Sequence, residues 1–461
     1  MRMSMQESIP ASSFKESRTL SFGEFFALLL QALASEGVRP CILRNYQEFP
    51  DKNIGNDIDF LIRSSELPLA MRALQSIQGI RIIGYSERYH VAMVFLEGVS
   101  PAPGLRTLQV DFIKNLTWKG LPFLETDVVL KSAIVRQARE LEFFVPSPVH
   151  EAISSLFSSL LVGGWLKEKY FTQVQHTFVN ARSEVIAALL PQFKSKVATE
   201  LVDAVISGDR QTILGCIRNL RLALSQQSLL HRPVRSVLAI VRYAANVIAI
   251  RHSPKTLETV CVMVVGNPGK PTIVDNLLPL LKSSAAVVEK RHFKPRLFFA
   301  RGSQEITPGA DLRTQTPEGI FVSMAKVVAW MLDGWLSQFM RQKSLTLRIC
   351  HYYSDGLLID PQGSSHGGPV WFAKLVGKLL PSPDLLILLD TTSETMQAGK
   401  PKLLPTGTSR QIGAYRSFVK TRKRFVILDA SKPAVSVTEE AYAAIIVMLT
   451  QRTDRQLKKL F

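Results

Sequence analysis

Cysteine is scarce. The 461-residue chain has four, Cys41, Cys216, Cys261 and Cys350, scattered through apolar runs with no Cys-x-x-Cys pair, so nothing points to zinc or dithiol redox chemistry. They read as buried thiols in a reducing cytoplasm. An uncharged apolar run of about 18 residues, the length that spans a bilayer, is also missing, since the nearest, 236–250, is interrupted by Arg242. The first twenty residues are polar and lack the basic-then-apolar order of a secretory signal. A soluble, cytoplasmic protein is therefore expected. Aromatic residues make up 8% of the chain and do not interleave with basic ones in the way that stacks bases, so no stable nucleic-acid partner is expected. Negative charge is short as well. The balance of 38 Asp+Glu against 56 Lys+Arg, a net +18, favours polyanionic partners: nucleotides, nucleic acid, acidic polymers or an anionic membrane surface.

With 46% hydrophobic and 20% charged residues, the chain has apolar material for about two or three separately cored domains. Residues 1–18 look disordered. Ser21-Phe22-Gly23-Glu24 then makes a capping box that opens an apolar helix to about Ala34. Strand-like runs follow at 40–44, 58–62, 80–84, 90–96 and 107–113, with a helix at 67–77, which predicts a mixed-sheet α+β domain over 19–175. His90 either contacts a phosphate or is structural. From about 147 to 252 the pattern turns helical; 151–170 is predicted as the helix closing the first domain, and 176–256 as a helical connector. Lys167 and Lys169 are candidate phosphate contacts, or the solvated end of a helix. The stretch 231–252 is apolar with a partly cationic face. It either lies on an anionic membrane or packs as a linker, the latter favoured because apolar residues occupy much of the remaining circumference.

The most informative segment is Gly55-Asn56-Asp57-Ile58-Asp59-Phe60-Leu61-Ile62. Side chains alternate along a strand, so Asp57 and Asp59 share one face while Ile58 and Phe60 turn to a core. Two adjacent anions repel, and a hard cation such as Mg²⁺ relieves them. Asp111, in the short run Leu108–Phe112, reaches the same cation if the two strands pair. The competing reading is a solvated turn at a strand end.

Upstream, Leu43-Arg44-Asn45-Tyr46 and Phe49-Pro50-Asp51 lead into the aspartates. Here the chain resembles the nucleotidyltransferase superfamily, in particular a small bacterial branch. The likeness continues through Trp118-Lys119-Gly120-Leu121-Pro122, Val145-Pro146-Ser147-Pro148 and Gly163-Gly164-Trp165-Leu166-Lys167-Glu168-Lys169-Tyr170, covering roughly residues 20–175. It implies that Asp57 and Asp59 hold a metal and nucleotide, that Asp111 completes the triad, and that Mg²⁺ with ATP or another nucleoside triphosphate is the cofactor. One departure stands out. The superfamily has Gly-Ser or Gly-Gly ahead of the aspartates to admit the triphosphate, whereas Arg44-Asn45 stands nearest that place.

In the C-terminal half, Val260–Val265 reads as a buried strand, followed by Gly266-Asn267-Pro268-Gly269-Lys270-Pro271-Thr272 and a helix from Ile273. Strand, glycine loop, helix is the P-loop order. The loop is two residues short of a Walker A pattern, with Pro271 in place of the Mg²⁺-binding hydroxyl. Further strands at 345–350, 384–390 and 424–429 predict a parallel α/β sheet. From about Thr259 onward the chain resembles thymidylate kinase-like P-loop kinases, carried by Gly269-Lys270, His292-Phe293-Lys294-Pro295-Arg296, Tyr352-Tyr353-Ser354-Asp355 and Ile427-Leu428-Asp429-Ala430. The resemblance implies a phosphate site of Gly266, Gly269, Lys270, Thr272 and Arg296. It also shows erosion: Cys350-His351 replaces an Asp-Arg pair, and Gly399-Lys400 a lid arginine, each removing charge from that site. The run Arg416–Arg424 either compensates or is a solvated face.

The expected molecule is multidomain, α/β and α+β: a nucleotidyltransferase-like mixed-sheet domain, a helical connector, and a P-loop kinase-like parallel domain at 257–461. Expected chemistry is nucleotidyl transfer at the aspartates, to an unidentified small-molecule or glycan-related acceptor, with reduced or absent kinase activity. The alternatives are a nucleotide-binding scaffold or sensor, or a working kinase with an unusual P-loop.

Overall fold

Period-two alternation puts Ile58, Phe60 and Ile62 on one face of the first aspartate run and Leu108, Val110 and Phe112 on one face of the second. All six are fully buried in one core. The structure, a computed structural model, describes residues 7–8, 19–53, 55, 57–252, 257–264, 270–292, 319–339, 345–351, 369–379, 382–390 and 405–460. It is mixed α/β and divides into two compact units, Ser17–Ser253 with Thr453–Phe461 and Met1–Glu16 with Pro254–Arg452.

The first described strand, β1 (Glu7–Ser8), lies within the stretch expected to be disordered and belongs to the C-terminal unit. In the N-terminal unit, β2 (Leu20–Ser21) leads into α1 (Phe22–Ser35). Both halves of the capping box form: the Glu24 amide donates to Ser21 Oγ at 3.3 Å, and the Ser21 amide donates to the Glu24 carboxylate at 2.9 Å. Phe22, Phe25, Phe26, Leu29 and Leu33 then fall on one buried stripe.

The strands that follow are β3 (Cys41–Ile42), β4 (Asp57–Leu61), β5 (Arg81–Glu87), β6 (Val91–Glu97), β7 (Val99–Ser100), β8 (Thr107–Ile113), β9 (Leu116–Trp118), β10 (Leu121–Leu124), β11 (Ile134–Ala138) and β12 (Leu141–Val145). Seven form a mixed sheet in the order β11-β12-β3-β4-β8-β6-β5. The helices are α2 (Leu67–Ser76), α3 (Thr126–Lys131), α4 (Pro148–Phe157), α5 (Glu168–Asn180), α6 (Arg182–Leu189), α7 (Ser195–Ser207), α8 (Arg210–His231) and α9 (Pro233–His252). α1 and α2 cover one face of the sheet. On the other face Cys41 and Leu61 share a second core with Phe123, Phe157, Phe178, Leu201 and Leu224, so the region expected to connect domains is packed on the sheet from α4 to α8.

Two helical expectations change. The predicted single helix over 151–170 breaks at a π-helical turn, Ser158–Gly163. Gly164 takes the left-handed conformation at φ 78°, which costs glycine little, and the Trp165 ring stands 2.9 Å from where a Cβ on Gly163 would be. The chain turns there and restarts as α5, which sets Lys167–Tyr170 apart from α4. Helix α9 is also not enclosed by packing: only 6% of Pro233–Ile250 is buried, and by length and composition this segment could cross a membrane. The aliphatic residues that suggested a packed linker face outward instead.

The C-terminal unit alternates β13 (Leu257–Val264), α10 (Lys270–Leu280), β14 (Val287–His292), α11 (Ile320–Phe339), β15 (Thr346–His351), α12 (Val370–Leu379), β16 (Leu385–Asp390), α13 (Pro405–Val419), β17 (Arg424–Asp429) and α14 (Ala434–Leu460). Its sheet runs β1-β17-β16-β13-β15-β14, with every neighbouring pair parallel. Leu385–Leu389 is buried throughout, as expected of a parallel strand covered on both faces.

Candidate active site

Parallel pairing of β4 with β8 sets Asp59 level with Asp111 and Asp57 level with Gln109. All four side chains share the face opposite Phe60 and Phe112. One ligand atom from each of Asp57, Asp59 and Asp111 lies within 4.8 Å of the other two, so the structure brings the three predicted carboxylates together. Burial, then the neighbouring Asp59, pushes the Asp111 carboxyl up to about 8, while a 2.8 Å hydrogen bond from Gln109 Nε2 works the other way. Asp57 is raised for the same two reasons, against the pull of Arg44, Lys167 and Lys169. Approach to Asp57 is tight on its N-terminal side. A Cβ on Gly55 would stand 2.9 Å from Asp57 Oδ1, so only glycine leaves that carboxylate where it is.

Three cations gather on the same side. Arg44 Nε donates to Asp59 Oδ2 in a part-buried salt bridge. Burial works against the guanidinium charge, but Asp59, with Tyr170 and Asp57, more than offsets it and Arg44 is raised overall. Lys167 is lowered by burial and by Arg44, with Asp59 and Asp57 opposing. The Arg44 guanidinium, Lys169 Nζ and Lys167 Nζ lie 6.0, 5.3 and 5.8 Å from the centre of the Tyr170 ring. Asn45, held at φ 61°, accepts from Lys169 Nζ at 3.0 Å and from Tyr170 OH at 3.1 Å. The break after α4 is what makes this cluster possible, because it starts α5 beside the end of β3. Lys167 and Lys169 therefore belong to the site. Sequence reasoning gave Asn45 and Tyr170 no role of their own and passed over Gln109. The signal for Gln109 was present, since a residue two before Asp111 must share its face.

The donor set fits a hard divalent cation. Opposite oxygens around Mg²⁺ stand about 4.2 Å apart at most, twice its bond length of about 2.1 Å, so carboxylates already within 4.8 Å need to close by only a fraction of an ångström. Three carboxylates with no nitrogen or sulfur ligand among the described residues suit Mg²⁺ rather than a soft metal.

His90 plays a different part. Burial first, then Arg88 and Lys114, lowers its imidazole to about 4, so it is neutral near pH 7, and its carbonyl accepts from the Lys114 amide at 2.8 Å. That environment disfavours the cationic form that a phosphate contact would use. A separate cavity of about 700 Å³ opens among β9, β10, α8 and α9. Its charged groups are already engaged: Arg232 and Arg235 with Glu125, Arg63 with Asp127, and Lys114 with Glu87.

In the C-terminal unit, Lys270 and Thr272 fall in the first turn of α10, three residues earlier than the expected helix start. Gly266, Gly269 and Arg296 lie outside the described residues. The order of the sheet reverses between β13 and β16, and ligands of such sheets bind beyond the strand ends at that place. Asp390 ends β16 there. One of its oxygens accepts from Arg416 at 2.7 Å, and the other is buried without a hydrogen-bond partner. Cys350, in place of an expected acid, is buried, and that burial pushes its thiol up to about 11.

Compared with known proteins, the chain matches no family model and no curated sequence. None of the four cysteines is in a disulfide.

Proposed function

We propose that the N-terminal unit is a metal-dependent nucleotidyltransferase. One observation carries this reading: Asp57, Asp59 and Asp111 converge on a single point from two adjacent parallel strands. Convergence of three carboxyl groups, one buried and two half-buried, is costly, and an enzyme that must hold Mg²⁺ against a triphosphate has a use for it. When bound, the ion supplies charge that polarises an α-phosphate. Asp57, Asp59 and Asp111 hold it, Arg44, Lys167 and Lys169 offset the remaining phosphate charge, and Asn45 with Tyr170 positions Lys169. The acceptor is a small-molecule or glycan-related nucleophile.

The experiment is pyrophosphate release from a panel of nucleoside triphosphates with Mg²⁺. Asp59→Asn should abolish it and leave circular dichroism unchanged. Activity that survives this substitution would move the chemistry elsewhere. A second reading, a scaffold that binds nucleotide without turnover, draws support from Arg44, whose guanidinium pairs with Asp59 and so offsets one of the three carboxylates. Saturable nucleotide binding with no pyrophosphate release would favour it.

For the C-terminal unit we propose a P-loop kinase-like domain with little or no kinase activity. Strand β13, the short glycine loop and α10 follow the P-loop order, but Pro268 and Pro271 donate no N–H to phosphate. Loss of one transition-state arginine costs on the order of 10³-fold in such enzymes. The full chain should therefore phosphorylate thymidylate and other monophosphates well below about 1 s⁻¹, the low end for working kinases. Faster turnover that Lys270→Ala removes would mean the loop works as it stands.

A further inference from the structure

Helix α9 is fastened to its own unit along one side. Asn246 Oδ1 accepts from the Tyr89 amide at 2.9 Å, Tyr243 packs edge-on against Tyr89 at 5.9 Å, and Ser236 Oγ donates to the Ser228 carbonyl at 2.8 Å. At 3.6 residues per turn, the opposite side carries Val234, Val237, Leu238, Val241, Ala244, Ala245, Ile248 and Ala249 within about 140° of arc. No polar residue interrupts that stripe, and all eight are exposed. Val234, Val237, Leu238, Val241 and Ile248 are between 49% and 72% exposed, and Leu230 at the end of α8 adds to them at 71%. From 234 to 248 the stripe runs about 21 Å, at about 1.5 Å per residue.

Its charge surroundings are one-sided. From Arg210 to Leu257 the sequence contains no Asp or Glu, but seven arginines and one lysine. Arg235 and Arg242 border the stripe. Glu125 engages Arg232 and Arg235 from outside this run. An aliphatic stripe bordered by arginines matches the boundary between acyl chains and anionic headgroups, where apolar side chains enter the hydrocarbon edge and the guanidiniums meet phosphate.

We propose that α9 docks the protein on an anionic lipid bilayer, lying in the plane of the headgroups. Crossing the bilayer would strip the Tyr89, Tyr243, Asn246 and Ser236 contacts from the unit; lying flat keeps them. The inference stands apart from the nucleotidyltransferase reading, since it uses none of those residues.

The test is co-sedimentation of the full chain with vesicles of phosphatidylcholine, alone or mixed with phosphatidylserine, at low and high salt. Binding should require phosphatidylserine and weaken with salt. Arg242→Ala should lower it about fivefold, the equivalent of one basic residue near an anionic surface, and Val241→Asp about tenfold or more. Val241→Ser, milder and also on the exposed side, should weaken binding less and guards against misfolding of the aspartate variant. Equal binding to both vesicle types, no binding, or full binding by Val241→Asp would each overturn the proposal. So would light scattering that finds a wild-type dimer made monomeric by Val241→Asp, which would put a second copy of the chain on the stripe.

Discussion

Arg44 is the residue on which the electrostatics of the aspartate cluster turn. It neutralises Asp59, which is 2% exposed and flanked by two more carboxylates. Removing one partner of a buried ion pair costs about 3–5 kcal/mol, and Arg44 is itself 20% exposed, so Arg44→Ala should cost near the lower end, about 3 kcal/mol. Mg²⁺ should return much of that, because an ion at 100 times its Kd stabilises by about 2.7 kcal/mol. Urea midpoints with EDTA and with Mg²⁺ check this, and recovery should vanish when Asp59→Asn is added. His90 gives a pH test. Its folded value, about 4, lies below the usual value of about 6.5, so the unfolded chain takes up the proton first. Stability is fully present above about pH 6.5 and is lost as pH falls toward 4, by up to about 3 kcal/mol. His90→Gln should flatten that limb of the urea midpoint against pH.

Among elements, the two cores behave differently from a sheet with an appended connector. Phe157 is fully buried and meets Phe123 at 5.6 Å and Phe193 at 5.5 Å, so it joins α4 both to the β9–β10 hairpin and to the segment between α6 and α7. Phe157→Ala should cost about 3–5 kcal/mol, and hydrogen exchange should quicken in β10 and α7 together. Protection lost in only one of them would show that the helices form a separate layer. The aspartate strands were legible because apolar residues alternate with polar ones through most of each: the run expected at 107–113 is β8, and that at 58–62 is β4 shifted by one residue. Strands β11 and β12 were not. Arg136 and Gln137 break the apolar pattern of β11, Arg139 and Glu140 make the turn between the two, and the hairpin joins the sheet only through β12 beside β3, more than ninety residues upstream. The break after α4 was hidden as well, since Gly163-Gly164 sits in an otherwise helical pattern and only the packing of Trp165 explains it.

At the scale of the whole molecule, the parallel sheet of the C-terminal half was readable from its apolar runs, but two of its strands were not: β1 is two polar residues, and β14 carries Glu289, Lys290 and Arg291. Nor could periodicity show that neither unit is a continuous piece of chain. Leu457, in the last turn of α14, is 3% exposed in the core beneath α1 and α2, and Gln456 Nε2 donates to the Tyr85 carbonyl at 3.3 Å. That exchange of ends has a consequence during synthesis. A ribosome adding about 5–20 residues per second needs about 10 to 40 s to pass from Ser253 to Leu457, and through that interval the nascent N-terminal sheet has an unfilled leucine socket that only residues translated after Arg452 can close.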